Sequence, residues 1–191
     1  MILSTERVTL VLQSVHEVRE QIERLNDDTR AEVSPQWLER ALAATESDPW
    51  LHGFKVRLRE GGTIIGDAAF KGPPSEDGVV EIAYGIEPEY QGRGFATEAA
   101  RALIEFARQA AGVRVVRAHT RHDNIASSRV LAKCGFRFVG DVIDPEDGLV
   151  QRWETDSSIV VAEFSWDCGS LLPLSVQQPA VGRVDGRSSQ K

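Results

Sequence analysis

Gln91-Gly92-Arg93-Gly94-Phe95-Ala96 lies between an apolar stretch of strand character and a long amphipathic helix. A Gly-rich turn at a helix N-terminus is a ready anion site, because its backbone N–H groups are free and the helix dipole adds partial positive charge. Glycine also lets the backbone approach a phosphate closely and adopt the conformations that such a nest needs. Upstream, Val79-Val80-Glu81-Ile82-Ala83-Tyr84-Gly85-Ile86 reads as a strand, and Glu87-Pro88-Glu89-Tyr90 leads into the turn. Downstream, Ala96, Ala99, Ala100, Leu103, Ile104, Ala107, Ala110 and Ala111 follow i, i+3, i+4 spacing, which buries one helix face. Arg101 and Glu105 stand i, i+4 on the other face, and Gly112 ends the helix.

Strand, short loop, nest and helix in that order restrict the ligand. A P-loop needs Gly-Lys-Ser/Thr after its first glycine, and the chain has no such triplet. A dinucleotide fingerprint needs a small third residue and an acidic residue about 20 positions on; here those positions hold Thr97 and Arg117. The six residues instead fit the Q/R-x-x-G-x-G/A turn at every fixed position. A second block follows: a strand from Val113 to Thr120, then Asn124-Ile125-Ala126-Ser127, then a short helix closing at Cys134-Gly135-Phe136. The two blocks together resemble the GNAT acetyltransferases. The flanks Pro88-Glu89-Tyr90 and Ala96-Thr97-Glu98-Ala99 are similar to the RimJ/RimL-type branch, and the resemblance covers roughly residues 60 to 154.

Composition agrees with one α/β domain. The chain has 191 residues, 41% of them hydrophobic and 27% charged, which suffices for a sizeable core. A net charge of −7 argues against a nucleic-acid surface. No apolar run approaches the ~18 residues needed to cross a membrane, and the N-terminus lacks a signal-peptide pattern, so a cytoplasmic protein is expected. The two cysteines, Cys134 and Cys168, have no metal spacing.

Val8, Leu10 and Leu12 alternate as an opening strand. Ser14-Val15-His16-Glu17 has the capping-box form, and Ser34-Pro35 is an N-cap with proline at the first helical position. Phe54–Arg59 and Ile64–Phe70 flank Glu60-Gly61-Gly62-Thr63 as a hairpin, and Phe138–Val142 with Leu149–Glu154 form a last one. The resemblance implies a mixed, strongly twisted sheet of about six to seven strands with helices on both faces. The domain is expected over 1–166, with Ser158–Trp166 a further strand and 167–191 a mobile tail.

The resemblance also implies the chemistry: acetyl-CoA as co-substrate, no metal, and an amine of a small molecule or peptide as acceptor, with a homodimer left open. Gln91, Gly92, Arg93, Gly94, Phe95, Ala96 and Thr97 would hold the pyrophosphate, and Asn124 the pantetheine arm. Arg129 and Lys133 stand on the helix after Asn124, within range of the ribose phosphate or merely solvated. The strand would splay at a bulge and turn the backbone N–H near Ile86 to the thioester carbonyl. An α-amine near 7.7–8.0 needs little help to lose its proton, whereas a lysine near 10.4 needs a real base. Glu81, a carboxylate in an apolar strand, is the first base candidate, with Glu146, Asp147 and Glu154 as competitors. Ser127 matches the serine proposed to protonate the thiolate in RimL-type enzymes. Other members place a tyrosine four residues later, where this chain has Leu131, leaving Ser127, Tyr84 or water as acid. That departure motivates the competing expectation of a non-catalytic acyl-CoA-binding module. His119 and His122 read as loop or sheet residues, and Trp37, Trp50 and Trp153 as core.

Overall fold

The computed structural model describes residues 1–156 apart from 32 and 145–147. The expected strand at Ser158–Trp166, the tail, Cys168 and the competitors Glu146 and Asp147 lie outside the described residues.

Eight strands form one mixed sheet in the order β1-β2-β3-β4-β5-β6-β8-β7. They are β1 (Ile2–Ser4), β2 (Val8–Leu12), β3 (Phe54–Leu58), β4 (Ile64–Phe70), β5 (Val79–Ile86), β6 (Val115–Thr120), β7 (Arg137–Asp144) and β8 (Gly148–Asp156). The helices are α1 (Val15–Arg24), α2 (Asp27–Ala31), α3 (Pro35–Ala43), α4 (Phe95–Gln109) and α5 (Ile125–Lys133). Eight strands exceed the six to seven expected. The addition is β1, too short and too exposed to show an alternation, which pairs antiparallel with β2.

Local chemistry sets the elements as the sequence predicts. Ser14 and Glu17 make a reciprocal capping box on α1, and Ser34 caps α3 with Pro35 at its start. The small residues Ala99, Ala100, Ala102 and Ala107 are buried on α4 with Leu103 and Ile104, so the helix lies close on the sheet against Val8, Leu10, Phe54, Val80 and Val116. α5 follows on the same side, bringing Leu131 and Cys134 into that core. Glu17 on α1 feels the charges of Arg57 and Lys55, which alternate out of the opposite face of β3, so helices cover both faces.

The parallel pairing of β5 with β6 covers only Val79↔Val115, Val80↔Val116 and Glu81↔Arg117. β5 meanwhile stays paired with β4 from Phe70↔Ile82 to Gly66↔Ile86 in unbroken register. The bulge expected in this strand is therefore not what opens it. β6 turns away and leaves β5 with one bare edge. Glu81 C=O and Glu87 N–H bond to the β4 side, and strand alternation then sends the polar backbone groups of Ile82, Tyr84 and Ile86 into the gap.

Candidate active site

The gap is the seam of two cavities. One, of about 430 Å³, is lined by the nest residues Gln91, Gly92 and Gly94 to Thr97, by Ile86, and by Asn124, Ser127, Arg129 and Lys133 of the α5 region. The other, of about 200 Å³, is lined by Glu81, Lys71, His119 and Arg121 among others. Tyr84, Asn124 and Ser127 line both.

Gly92 and Gly94 take φ of +74° and +88°, the left-handed region that a Cβ disfavours. Gly94 is the N-cap of α4, so the first N–H groups of a 15-residue helix open onto the larger cavity. Gln91 donates its Nε2 to Ile86 C=O at 2.8 Å, tying the nest to the end of β5 and leaving the N–H of Ile86 facing the gap. Arg93 is exposed and does not line the cavity as described. Its guanidinium carbon lies 5.8 Å from the Tyr90 ring centroid.

Asn124 is the N-cap of α5, its Oδ1 accepting from Ser127 N–H at 3.0 Å. Capping therefore belongs to Asn124, and the Ser127 hydroxyl lies 3.1 Å from Tyr84 Oη. Burial pushes the Tyr84 hydroxyl up to about 12, against the lowering effect of the Ser127 hydrogen bond. Tyr84 thus stays protonated at any ordinary pH. Leu131 is fully buried in the core, and the hydroxyls that face the larger cavity are those of Tyr84 on β5 and Ser127 on α5. Cys134 is buried, its thiol pushed up to about 11 by that burial, and its Sγ approaches Thr97 C=O at 3.7 Å. It is a neutral packing residue.

On the opposite face, Glu81 Oε1 lies 3.2 Å from Lys71 Nζ and 3.2 Å from His119 Nδ1. His119 Nδ1 also stands 3.5 Å from Asp144 Oδ2, and Arg152 Nε donates to His119 Nε2 at 3.3 Å. An Nε2 that accepts from arginine carries no proton, so the Nδ1–H points to the carboxylates. Glu81, His119 and Asp144 bring three potential ligand atoms within 4.8 Å of one another. The Lys71 and Arg152 cations beside them make the group an ion-pair network. His119, expected as an ordinary loop or sheet histidine, proves to be the inward partner of Glu81; its 38-residue separation from Glu81 gave no signal in sequence. His122 pairs with Asp141 at 3.4 Å on the surface. Glu154 is engaged by Arg117 at 2.7 Å and does not line either cavity.

Trp50 stacks with Phe70 and Phe106 at 4.5 and 5.3 Å, Trp153 meets Phe138 at 5.8 Å, and Trp37 donates Nε1 to Leu51 C=O. All three pack, as the sequence suggested.

A parallel strand pair that opens beside a glycine-rich helix N-terminus defines an α/β protein with a cleft suited to an anionic ligand. Residues 5–137 match the acetyltransferase (GNAT) domain family, and the chain belongs to that family. It is 38% identical over 93 residues to N-alpha-acetyltransferase RimI of Mycobacterium tuberculosis, covering 47% of this chain and 55% of that protein. It is 32% identical over 89 residues to the uncharacterized N-acetyltransferase YjdG of Bacillus subtilis, covering 47% of this chain and 51% of that one. The chain thus spans about half the length of the curated relatives it matches. In fold, it superimposes on the ribosomal α-N-protein acetyltransferase RimL in complex with coenzyme A with a TM-score of 0.59 at 15% identity, covering 82% of this chain and 98% of that one.

Proposed function

We propose that this chain is an acetyl-CoA-dependent N-acetyltransferase in which a primary amine attacks the thioester directly. The observation that carries this reading is that the two cavities share Tyr84, Asn124 and Ser127 in their walls. A donor held by the nest on one face of the sheet meets, across the open edge of β5, an amine arriving on the other. The α4 N-terminus and the glycines suit a pyrophosphate, and Arg129 and Lys133 add cations along the same cavity. Arg93 would have to leave Tyr90 to join them.

In this reading Glu81 takes the proton of the amine, directly or through water, and the neutral amine attacks. Ile86 N–H faces the developing oxyanion. A hydroxyl near 12 is a weaker acid than a thiol near 8.5, so Tyr84 stabilises the departing thiolate as a hydrogen-bond donor, with Ser127 as its partner. Two features favour a weakly basic amine such as a protein N-terminus. Lys71 and His119 already engage Glu81, and the relatives RimI and RimL are named as α-N-acetyltransferases. Small-molecule amines remain within the same chemistry. Among the described residues no helix is long and apolar enough to cross a membrane. The net charge of −7 disfavours a nucleic-acid partner in this reading.

Calorimetric titration with acetyl-CoA, followed by thiol release across amines, peptides and aminoglycosides, tests the reading. Absence of binding at high micromolar donor would overturn it. Binding without turnover on any acceptor would favour the non-catalytic module that the Leu131 departure first suggested.

A further inference from the structure

The first turn of the chain reaches the nest across 86 positions of sequence. Thr5-Glu6-Arg7 connects β1 to β2, and Thr5 closes the turn by donating its N–H to Val8 C=O at 2.9 Å and accepting Val8 N–H on its Oγ1 at 3.2 Å. Arg59 Nη1 holds it from outside on Thr5 C=O at 3.0 Å. From this fixed turn, Glu98 on α4 receives Thr5 Oγ1 at 2.6 Å, Arg7 N–H at 3.0 Å, and Arg7 Nε and Nη2 at 2.6 Å each. Arg7 Nη1 donates to Arg93 C=O at 3.0 Å. The guanidinium carbon lies 4.9 Å from the Phe95 ring centroid, and a Cβ on Gly94 would meet Arg7 Nη2 at 3.0 Å. Arg7 therefore touches three consecutive residues of the nest.

We infer that Arg7 is a positioning residue for the phosphate-bearing half of the donor, holding the nest in its binding shape and cancelling the charge of Glu98 beside it. The inference rests on the acyl-CoA reading of the larger cavity. Its first ground is geometric. In a trans peptide the C=O and the following N–H point in opposite directions, so a carbonyl of Arg93 turned onto Arg7 sends the N–H of Gly94 away from Arg7. Gly94 lines the cavity, and without Arg7 that peptide can rotate and present its carbonyl to an anion. The second ground is electrostatic. Glu98 is buried, and although burial alone would raise its pKa, the Thr5 and Arg7 hydrogen bonds and charge hold it below the usual carboxylate value. An ionised carboxylate in the first turns of α4 opposes the favourable field at the helix N-terminus. The fork of Arg7 neutralises it while keeping one N–H for Arg93.

The test compares acetyl-CoA with acetyl-pantetheine, which carries the same thioester arm without phosphates. Calorimetry reads the first and NMR shift titration the second, on wild type, Arg7→Gln, Arg7→Lys and Arg7→Gln/Glu98→Gln, each checked for cooperative unfolding. In Arg7→Gln the preference for acetyl-CoA over acetyl-pantetheine should fall at least tenfold. Arg7→Lys should recover part of it by charge. The double variant, free of the unpaired carboxylate, should recover part by removing the repulsion and secures the result if Arg7→Gln unfolds. An unchanged preference in both Arg7→Gln and the double variant would overturn the inference, as would equal losses for both donors. A wild type that binds neither donor would overturn the acetyltransferase reading itself.

Discussion

Glu81 and Tyr84 stand three residues apart on β5 and lie on opposite faces of the sheet, a consequence of the two-residue strand period. If Glu81 is the base, Glu81→Gln should leave acetyl-CoA affinity nearly unchanged, because the nest is untouched. The rate should fall by roughly 10²–10⁴-fold, the usual contribution of a positioned base, and the loss should shrink at high pH, where the amine is already neutral. Thiol-release kinetics across pH check both; a variant with most of its activity near pH 7 would assign Glu81 to the ion-pair network alone. Tyr84→Phe removes one hydrogen bond to a charged group, about 1.5–3 kcal/mol, so kcat should fall roughly tenfold to a hundredfold with the acetyl-CoA Kd little changed. At this scale the sequence displayed the residues but not their partners. Glu81 was visible as a charge in an apolar strand, whereas Lys71 after β4, His119 on β6 and Asp144 on β7 became its neighbours only when the chain was laid out as one sheet. The same holds for Arg7, whose partner Glu98 sits on the buried face of α4 and reads in sequence as an ordinary helix glutamate.

Between elements, the decisive contact is the seam of β4, β5 and β6. α4, β5 and the nest were legible because each carries its own period or its own glycines, and because a helix that must bury alanines announces its face. β1 and α2 were not: Ile2-Leu3-Ser4 is too short to alternate, and Asp27-Asp28-Thr29-Arg30-Ala31 has no apolar stripe. The divergence of β5 from β6 was expected only through the family resemblance, with a bulge as its cause; the residues themselves do not show it, since it lies in where pairing stops, and local sequence encodes pairing only weakly. What the sequence did hold is Gly66. A Cβ there would lie 2.1 Å from Gly85 C=O and 3.0 Å from Ile86 Cα, so β4 can follow β5 to the reaction site only without a side chain. Gly66→Ala should therefore push β5 away at Gly85–Ile86. Overpacking of this kind costs about 1–3 kcal/mol, readable as a lowered urea midpoint. Displacement of the Ile86 N–H should lower kcat more than acetyl-CoA affinity. Gly66→Ala with wild-type kcat and midpoint would mean that the seam yields freely. At the nest, Gly94→Asp should abolish acetyl-CoA binding in calorimetry, since Gly94 sits at φ +88° and a Cβ there would meet Arg7 Nη2 at 3.0 Å, so any side chain distorts the nest; retained binding would move the donor elsewhere.

For the whole molecule, burying the site groups ties stability to pH. Tyr84 is moved from an ordinary 10.0 to about 12 and Cys134 from 9.0 to about 11, each chiefly by burial. In both cases the native state holds the proton more tightly than the unfolded chain. The stability this contributes is fully present below the unfolded values and is lost as pH rises through the folded ones. Glu98 runs the other way: its lowered native pKa contributes stability above the unfolded value, lost as pH falls through the folded one. Urea unfolding should therefore show a plateau through neutral pH, a decline beginning near pH 9 and steepening toward 12, and an acid decline below about 4.5. Other ionisations contribute to both limbs, so the assignment comes from differences between proteins. The stability gap between wild type and Tyr84→Phe should be constant below pH 10 and narrow from about 10 to 12, because only the wild type loses the protonated hydroxyl. Cys134→Ala should give a gap that begins to narrow one unit earlier, from about pH 9. The gap between wild type and Glu98→Gln should be constant near neutrality and narrow only on the acid side. A Tyr84→Phe gap that stays constant through pH 12 would show that the tyrosine hydroxyl meets water, and the protonated donor would then have to be sought in Ser127 on α5.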